Sequence, residues 1–254
     1  MPRLNITDPG MEEHRIAGSN FTFRGARIAN LLSTEYTLVT IAIDVTGSTR
    51  LFASQLLETL RTTIKGCKKS PRADNLLVRV IIFSDAFPGG IMELHGFKKV
   101  MDIDPDKDYQ DLDPGGLTPL YDAAFSAVGA TLAYGKFLLG KDIFNVNGIV
   151  YLITDGDDNT SVSTPKMVRD EIDKAVIGEQ IESLVTVLVG INTAQCGSFL
   201  ENFRQEAGIT QYLDVGDVTP GKLAKLGGII SQSVSSQSMA LGKGVASQNI
   251  PASF

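Results

Sequence analysis

The chain has 254 residues, 43% of them hydrophobic and 20% charged, with a formal net charge of −6. This is ordinary globular composition, and the length suits one large α/β domain with appendages, or two small domains at most. The acidic balance argues against nucleic acid, which needs a basic footprint. The two cysteines, Cys67 and Cys196, and the two histidines, His14 and His95, lie far apart, so neither a disulfide framework nor a zinc hydrolase is indicated.

Residues 1–18 are polar and mixed in charge, with no apolar core of signal-peptide length. No window approaches the ~20 apolar residues that cross a bilayer. A cytoplasmic protein without a membrane partner is the expectation. Residues 1–35 read as an N-terminal extension. Within it, residues 20–24 alternate apolar and polar, which predicts an edge strand with Phe21 and Phe23 as core contacts.

From residue 36 onward, apolar runs alternate with amphipathic segments. Residues 36–44, 76–84, 149–155 and 184–192 are nearly continuous Val, Ile and Leu with a polar end, the pattern of strands buried on both faces of a parallel sheet. Residues 92–97 predict one antiparallel edge strand. Phe52, Leu56, Leu60 and Ile64 recur at helical spacing, as do Ala123, Ala127 and Ala130, then Val168, Ile172, Ala175 and Val176, then Leu223, Leu226, Ile230 and Val234. Thr118-Pro119, Thr164-Pro165 and Thr219-Pro220 offer a hydroxyl cap with proline in the first turn. The fold class that follows is α/β: a doubly wound, mostly parallel central sheet with helices on both faces. The domain spans residues 36–235, and residues 236–254, rich in Ser, Gly and Ala, read as a flexible tail.

Ligands of open α/β sheets bind beyond the carboxyl ends of the strands, where strand order reverses. Three segments carry oxygen donors to such ends. Asp44-Val45-Thr46-Gly47-Ser48 follows a buried strand, and alternate positions of an extended turn can point Asp44, Thr46 and Ser48 the same way. Gly115-Gly116-Leu117-Thr118-Pro119 ends on a hydroxyl that opens a helix, and Thr154-Asp155-Gly156 is a strand running into a carboxylate. Asp44, Thr46, Ser48, Thr118 and Asp155 are all hard oxygen donors, a set that selects Mg²⁺, with Mn²⁺ or Ca²⁺ as substitutes, over zinc. Singly, each has an ordinary explanation: Ser48 and Thr118 as helix caps, Asp44 and Asp155 as turn residues. Asp157 and Asp158 are expected to face solvent. The aspartates at 102, 104, 106, 108, 111 and 113 fail as an EF-hand, since with Asp104 first the sixth position is Tyr109 and the twelfth Gly115. They read as an acidic surface loop leading to Thr118 that would raise the local cation concentration.

These residues resemble the von Willebrand factor A (VWA) family, whose metal-ion-dependent adhesion site uses Asp-x-Ser-x-Ser, a Thr and an Asp on successive strand-end loops. Asp44, Ser48, Thr118 and Asp155 match in kind, order and approximate separation, and Thr46 stands where the middle serine is usual. The likeness covers roughly residues 36–235, and the stretch 35–41 also looks like VWA proteins of bacterial and phage origin. The resemblance implies a Rossmann-like VWA fold and a metal-dependent binding module rather than an enzyme. Its protein partner would present a Glu or Asp to the metal. The same first loop also resembles the nucleophile loop of haloacid-dehalogenase-like phosphatases, with Asp44 as nucleophile. That reading leaves the 115–119 loop without a role and finds no lysine clearly placed at a strand end.

Overall fold

The computed structural model describes residues 9–177, 181–243 and 250. Among these residues eight strands form one sheet: β1 (Met11–Arg15), β2 (Thr22–Ala26), β3 (Glu35–Asp44), β4 (Leu76–Phe83), β5 (Ile91–Lys99), β6 (Asn145–Thr154), β7 (Ser183–Gly190) and β8 (Gln211–Asp214). The helices are α1 (Ala53–Lys68), the short α2 (Pro105–Asp108), α3 (Leu120–Leu139), α4 (Pro165–Ile177), α5 (Gly197–Ala207) and α6 (Pro220–Leu241).

The sheet order is β1-β2-β5-β4-β3-β6-β7-β8. Strands β4, β3, β6, β7 and β8 run parallel, and all of β4 and β3 except Glu35 is buried. Continuous apolar runs therefore became central strands because helices cover both faces. Leu38 and Ala42 of β3 face the layer built by α3, α4 and α5, while Val39, Ile41 and Ile43 face α1 and α6. Helix α3 lies closest to the sheet, its Ala123, Ala124, Ala127 and Ala130 fully buried, since methyl-sized side chains let the two backbones approach. The chain passes from β3 to β4 on one side and later returns to β6 on the other. Strand order reverses at β3, and the crevice that such a reversal creates in an open α/β sheet falls beyond Asp44 and Thr154. The architecture is the VWA or Rossmann-like α/β class.

Several expectations need correction. Residues 92–97 do lie on an antiparallel strand, but β5 is not an edge: β2 pairs with its outer side and β1 with β2. The segment 20–24 thus feeds an internal strand, with Phe23 buried in the core and Phe21 packed against it. The true edge, β1, has the sequence Met-Glu-Glu-His-Arg, too polar to register as a strand. Helix α5 and strand β8 are further elements beyond those that the sequence predicts. The tail expected from residue 236 begins inside α6, which continues to Leu241 with Gln237 and Ser238 buried. Residues 1–8, 244–249 and 251–254 of the two expected appendages lie outside the described residues.

Because β5 is antiparallel to β4, it ends beside Leu77, at the opposite end of the sheet from the crevice. Asp104, Asp106 and Asp108 follow there and pair with Lys107, Lys65 and Lys98. These three are neutralised and lie away from Thr118, whereas Asp111 and Asp113, which lead into the Gly115–Thr118 loop, are exposed.

Candidate metal centre

Asp44 is the last residue of β3, opposite Phe83 of β4, at the end of a strand that pairs with β6 as far as Ile43. Its carboxylate is fully buried. Oδ1 accepts from Thr46 N at 2.9 Å and Thr46 Oγ1 at 2.6 Å, and Oδ2 accepts from Thr154 Oγ1 at 2.6 Å. The first bond is the Asx-turn expected of a strand-end aspartate. The hydroxyl bonds go further, because they draw in the next donor of the motif. Ser48, in the 3-10 turn Gly47–Phe52, donates to Asp155 Oδ1 at 2.7 Å, and its Oγ lies 3.2 Å from Thr46 Oγ1. Thr118 Oγ1 donates to Thr46 Oγ1 at 3.4 Å. Chain segments 107 residues apart in sequence (Ser48 and Asp155) thus meet at one point, and the structure brings all five sequence-derived residues together.

The capping explanation fails for both hydroxyls. Helix α3 opens at Pro119 without a side-chain cap from Thr118. Its exposed donors are met instead by Asp158, which accepts from Tyr121 N at 3.1 Å, and by Ser161, which accepts from Asp122 N at 3.1 Å. With those N–H groups satisfied, Thr118 Oγ1 is released toward the crevice. Asp158 is therefore a positioning residue rather than a solvated one, whereas Asp157 is exposed as expected. Asp122 returns the favour, accepting from Val162 N and Ser163 N to hold the loop after Asp155. Neither role has a short-range sequence signal, since partners about 40 residues away create it.

Thr154, in the sequence no more than the end of a strand, anchors the second oxygen of Asp44. The loop that delivers Thr118 depends on Gly116, whose φ of +74° suits glycine. A Cβ there would come within 2.2 Å of Asp85 Oδ1 and 2.6 Å of Ser84 Oγ. Gly47 N donates to Gly116 O at 3.1 Å, and Gly115 N to Val45 O at 3.0 Å, so this loop and the first are joined by backbone.

Two acidic groups sit here without a counter-charge. Burial pushes Asp44 up to about 6, against the hydrogen bonds from Thr154 and Thr46, and the nearby Asp155 adds to the rise. Asp155 is also raised, again by burial, with the Ser48 bond opposing. Among the described residues no basic side chain offsets either charge. Thr46 spends its one proton on Asp44 and Ser48 spends its own on Asp155, so the oxygen lone pairs of the two hydroxyls face each other. Carboxylates and hydroxyl lone pairs converging with no donor among them but the long 3.4 Å contact from Thr118 Oγ1 fit a hard divalent cation. Among the described residues no three His, Cys, Asp or Glu side chains gather as metal ligands, so a cation held here would rely on hydroxyls as well as carboxylates.

No protein-family model matches the sequence, and no curated protein matches it either. Solved structures do match in fold. The pilus adhesin SpaC from Lactobacillus rhamnosus GG, in its open conformation, aligns over 89% of this chain and 32% of its own, with a TM-score of 0.55 at 12% identity. The D319A mutant of the PilB minor pilin from Streptococcus sanguinis aligns over 87% of this chain and 66% of its own, with a TM-score of 0.54 at 13% identity. Proximal thread matrix protein 1 from the mussel byssus, solved with a zinc-occupied MIDAS motif, aligns over 81% of this chain and 46% of its own, with a TM-score of 0.51 at 17% identity. The chain spans less than two thirds of the length of each of these, and identities this low establish the fold alone.

Proposed function

We propose that the chain is a VWA-type binding module of the metal-ion-dependent adhesion class. On this reading it holds one divalent cation, Mg²⁺ by preference, and docks a protein partner through that partner's Glu or Asp. The observation that carries the reading is the meeting of Asp44 and Asp155 with the lone pairs of Thr46 and Ser48, with no basic residue among them. Asp44 and Asp155 would supply the charge, and Thr46, Ser48 and Thr118 the neutral oxygens. Two carboxylates balance a divalent ion without saturating it, which leaves the partner's carboxylate a place to bind. The zinc in the mussel protein's MIDAS motif shows that a neighbour in fold takes a divalent ion there.

Binding is favoured over phosphoryl transfer because Asp44 is wholly buried with both carboxylate oxygens hydrogen-bonded, a poor state for a nucleophile. Cytoplasmic residence belongs to the same proposal, supported by Cys67 and Cys196 both being free thiols. Among the described residues, no helix is long and apolar enough to cross a membrane.

The test is a thermal melt with and without Mg²⁺. A cation that binds only the native state at about 100 times its dissociation constant adds about 2.7 kcal/mol. For a chain of this size that is roughly 5–10 °C. Asp155→Ala should remove the response while the protein stays folded. An Asp155→Ala protein that responds like wild type would refute the assignment, and Mg²⁺-dependent turnover of p-nitrophenyl phosphate lost in Asp44→Asn would favour the phosphatase.

A further inference from the structure

Three large apolar side chains stand in water around the crevice, one on each segment that delivers its donors. Leu51 is 91% exposed in the turn that carries Ser48, Leu117 is 51% exposed beside Thr118, and Val162 is 89% exposed on the loop that leaves Asp155. Each has a fixed backbone. The bond from Gly47 N to Gly116 O ties the segment of Leu51 to that of Leu117, and Arg50 Nη2 donates to Pro114 O at 2.9 Å alongside it. Leu117 is pinned further, its N–H donating to Asp85 Oδ1 and its carbonyl accepting from Asp85 N. The third loop is held by Asn159, which exchanges two bonds with the Thr118 backbone, and by the bond from Val162 N to Asp122 Oδ2 at 3.0 Å. Leu32 and Ile143, exposed as well, precede β3 and β6 and so belong to the opposite end of the sheet.

A single exposed apolar residue needs no explanation, but three on the three interlinked segments that deliver the donors form a rim. The charge around it narrows what can bind. Exposed carboxylates at Asp85 beside Leu117 and Asp157 on the third loop outnumber the exposed Arg50 beside Leu51, so a partner segment dense in acidic residues is disfavoured. A contact between a carboxylate and a cation fixes position but does not choose among the many acidic residues a protein surface offers. An apolar rim chooses by burial, and it excludes water from the polar contact at its centre.

Resting on the reading of the crevice as a carboxylate-accepting cation site, we propose that Leu51, Leu117 and Val162 are its specificity determinants. Their occupant is a segment of a protein partner in which one Asp or Glu is flanked by aliphatic or aromatic residues. The acid enters the crevice and its apolar neighbours cover the three side chains.

The experiment is a random-peptide display selection on the full chain in Mg²⁺, eluted with EDTA, run beside the Mg²⁺ melt. A synthetic peptide from the enriched set is then titrated against wild type and a Leu51→Ser, Leu117→Ser, Val162→Ser triple variant. Enriched peptides should carry a single Asp or Glu with apolar neighbours. The triple variant should keep its Mg²⁺ melt shift but bind the peptide at least tenfold more weakly, about 1.4 kcal/mol. Acidic peptides with no apolar preference, or equal affinity for the variant, would overturn the inference and leave the cation site standing. So would a wild-type melt that responds to Mg²⁺ with no Mg²⁺-dependent peptide selected. A wild-type melt indifferent to Mg²⁺ would remove the cation reading, and the inference with it.

Discussion

Thr154 touches none of the other hydroxyls of the crevice, yet its hydroxyl holds one of the two oxygens of Asp44 at 2.6 Å. On the cation reading it would orient the carboxylate, and groups in that position commonly account for 10–100-fold in metal affinity. Thr154→Val is nearly isosteric and should weaken the Mg²⁺ melt response to that degree, without the loss of fold that a cavity would cause. An unchanged Mg²⁺ titration would show that Asp44 is oriented by Thr46 alone. The histidines make a separate, acid-sensitive prediction. Burial holds His95 at about 4, with Lys98 lowering it further, while Gly96, Asp108 and Glu93 act in the opposite direction; His14 is also held below 6.5 by burial. His95 is neutral in the fold, one ring nitrogen 2.9 Å from Gly96 O and the other 2.7 Å from Tyr109 Oη. The unfolded chain takes up protons from about pH 6.5 downward and the native state does not, so the stability due to these groups is present above pH 6.5. It is lost progressively as pH falls toward 4. Urea melts between pH 7 and 4 should be less steep in pH for His95→Gln than for wild type.

The elements are joined by a few bonds that single substitutions can probe. Glu93 of β5 bridges Arg79 of β4 at 2.8 Å and Arg24 of β2 at 3.0 Å, so one carboxylate fastens the outer strands to the parallel core. Arg79 is only 1% exposed, and its guanidinium also lies over the Phe23 ring. Removing the carboxylate strands that cation inside the protein, for which a loss of about 3–5 kcal/mol is usual. Urea denaturation of Glu93→Ala should show a loss of that size, and Arg24→Ala, which removes a more exposed partner, a smaller one. The loop between Gly115 and Thr118 is equally open to test. Gly116→Ala meets both an unfavourable φ and the Asp85 and Ser84 side chains. It should displace Thr118, so the Mg²⁺ response should fall more than the stability of the metal-free protein. If both fall in proportion, the loop serves the fold rather than the crevice.

At the scale of the whole molecule, α6 and Ile250 belong to the core. Helix α6 packs on α1 and on the α1 side of the sheet through Leu223, Leu226, Ile230 and Val234. Beyond it, Ile250 is 3% exposed in the same core, and the Gln211 side chain bonds its N–H and its carbonyl at 2.9 and 2.7 Å. Burying one isoleucine side chain contributes about 1.5–3 kcal/mol. Deleting residues 236–254 should therefore lower the melting temperature by roughly 3–12 °C. A truncated protein that melts with wild type would restore the flexible-tail reading.

The sequence by itself determined the strand–helix alternation of the parallel core, because strands and helices buried on that scale need continuous Val, Ile and Leu or helical repeats. It also determined which strand ends carry oxygen donors, since a carboxylate directly after an apolar run can hardly lie elsewhere. Only tertiary structure decided the remainder. Strand β1 is held by pairing with β2, and its residues carry no apolar pattern to announce it. Helix α6 runs past residue 235 because its serines and Gln237 are buried against neighbours, a contact that local propensity does not encode. Thr118 is free to face Thr46 only because Asp158 and Ser161, about 40 residues on, cap α3 in its place. Distances of that kind along the chain are closed by packing, and no local pattern records them.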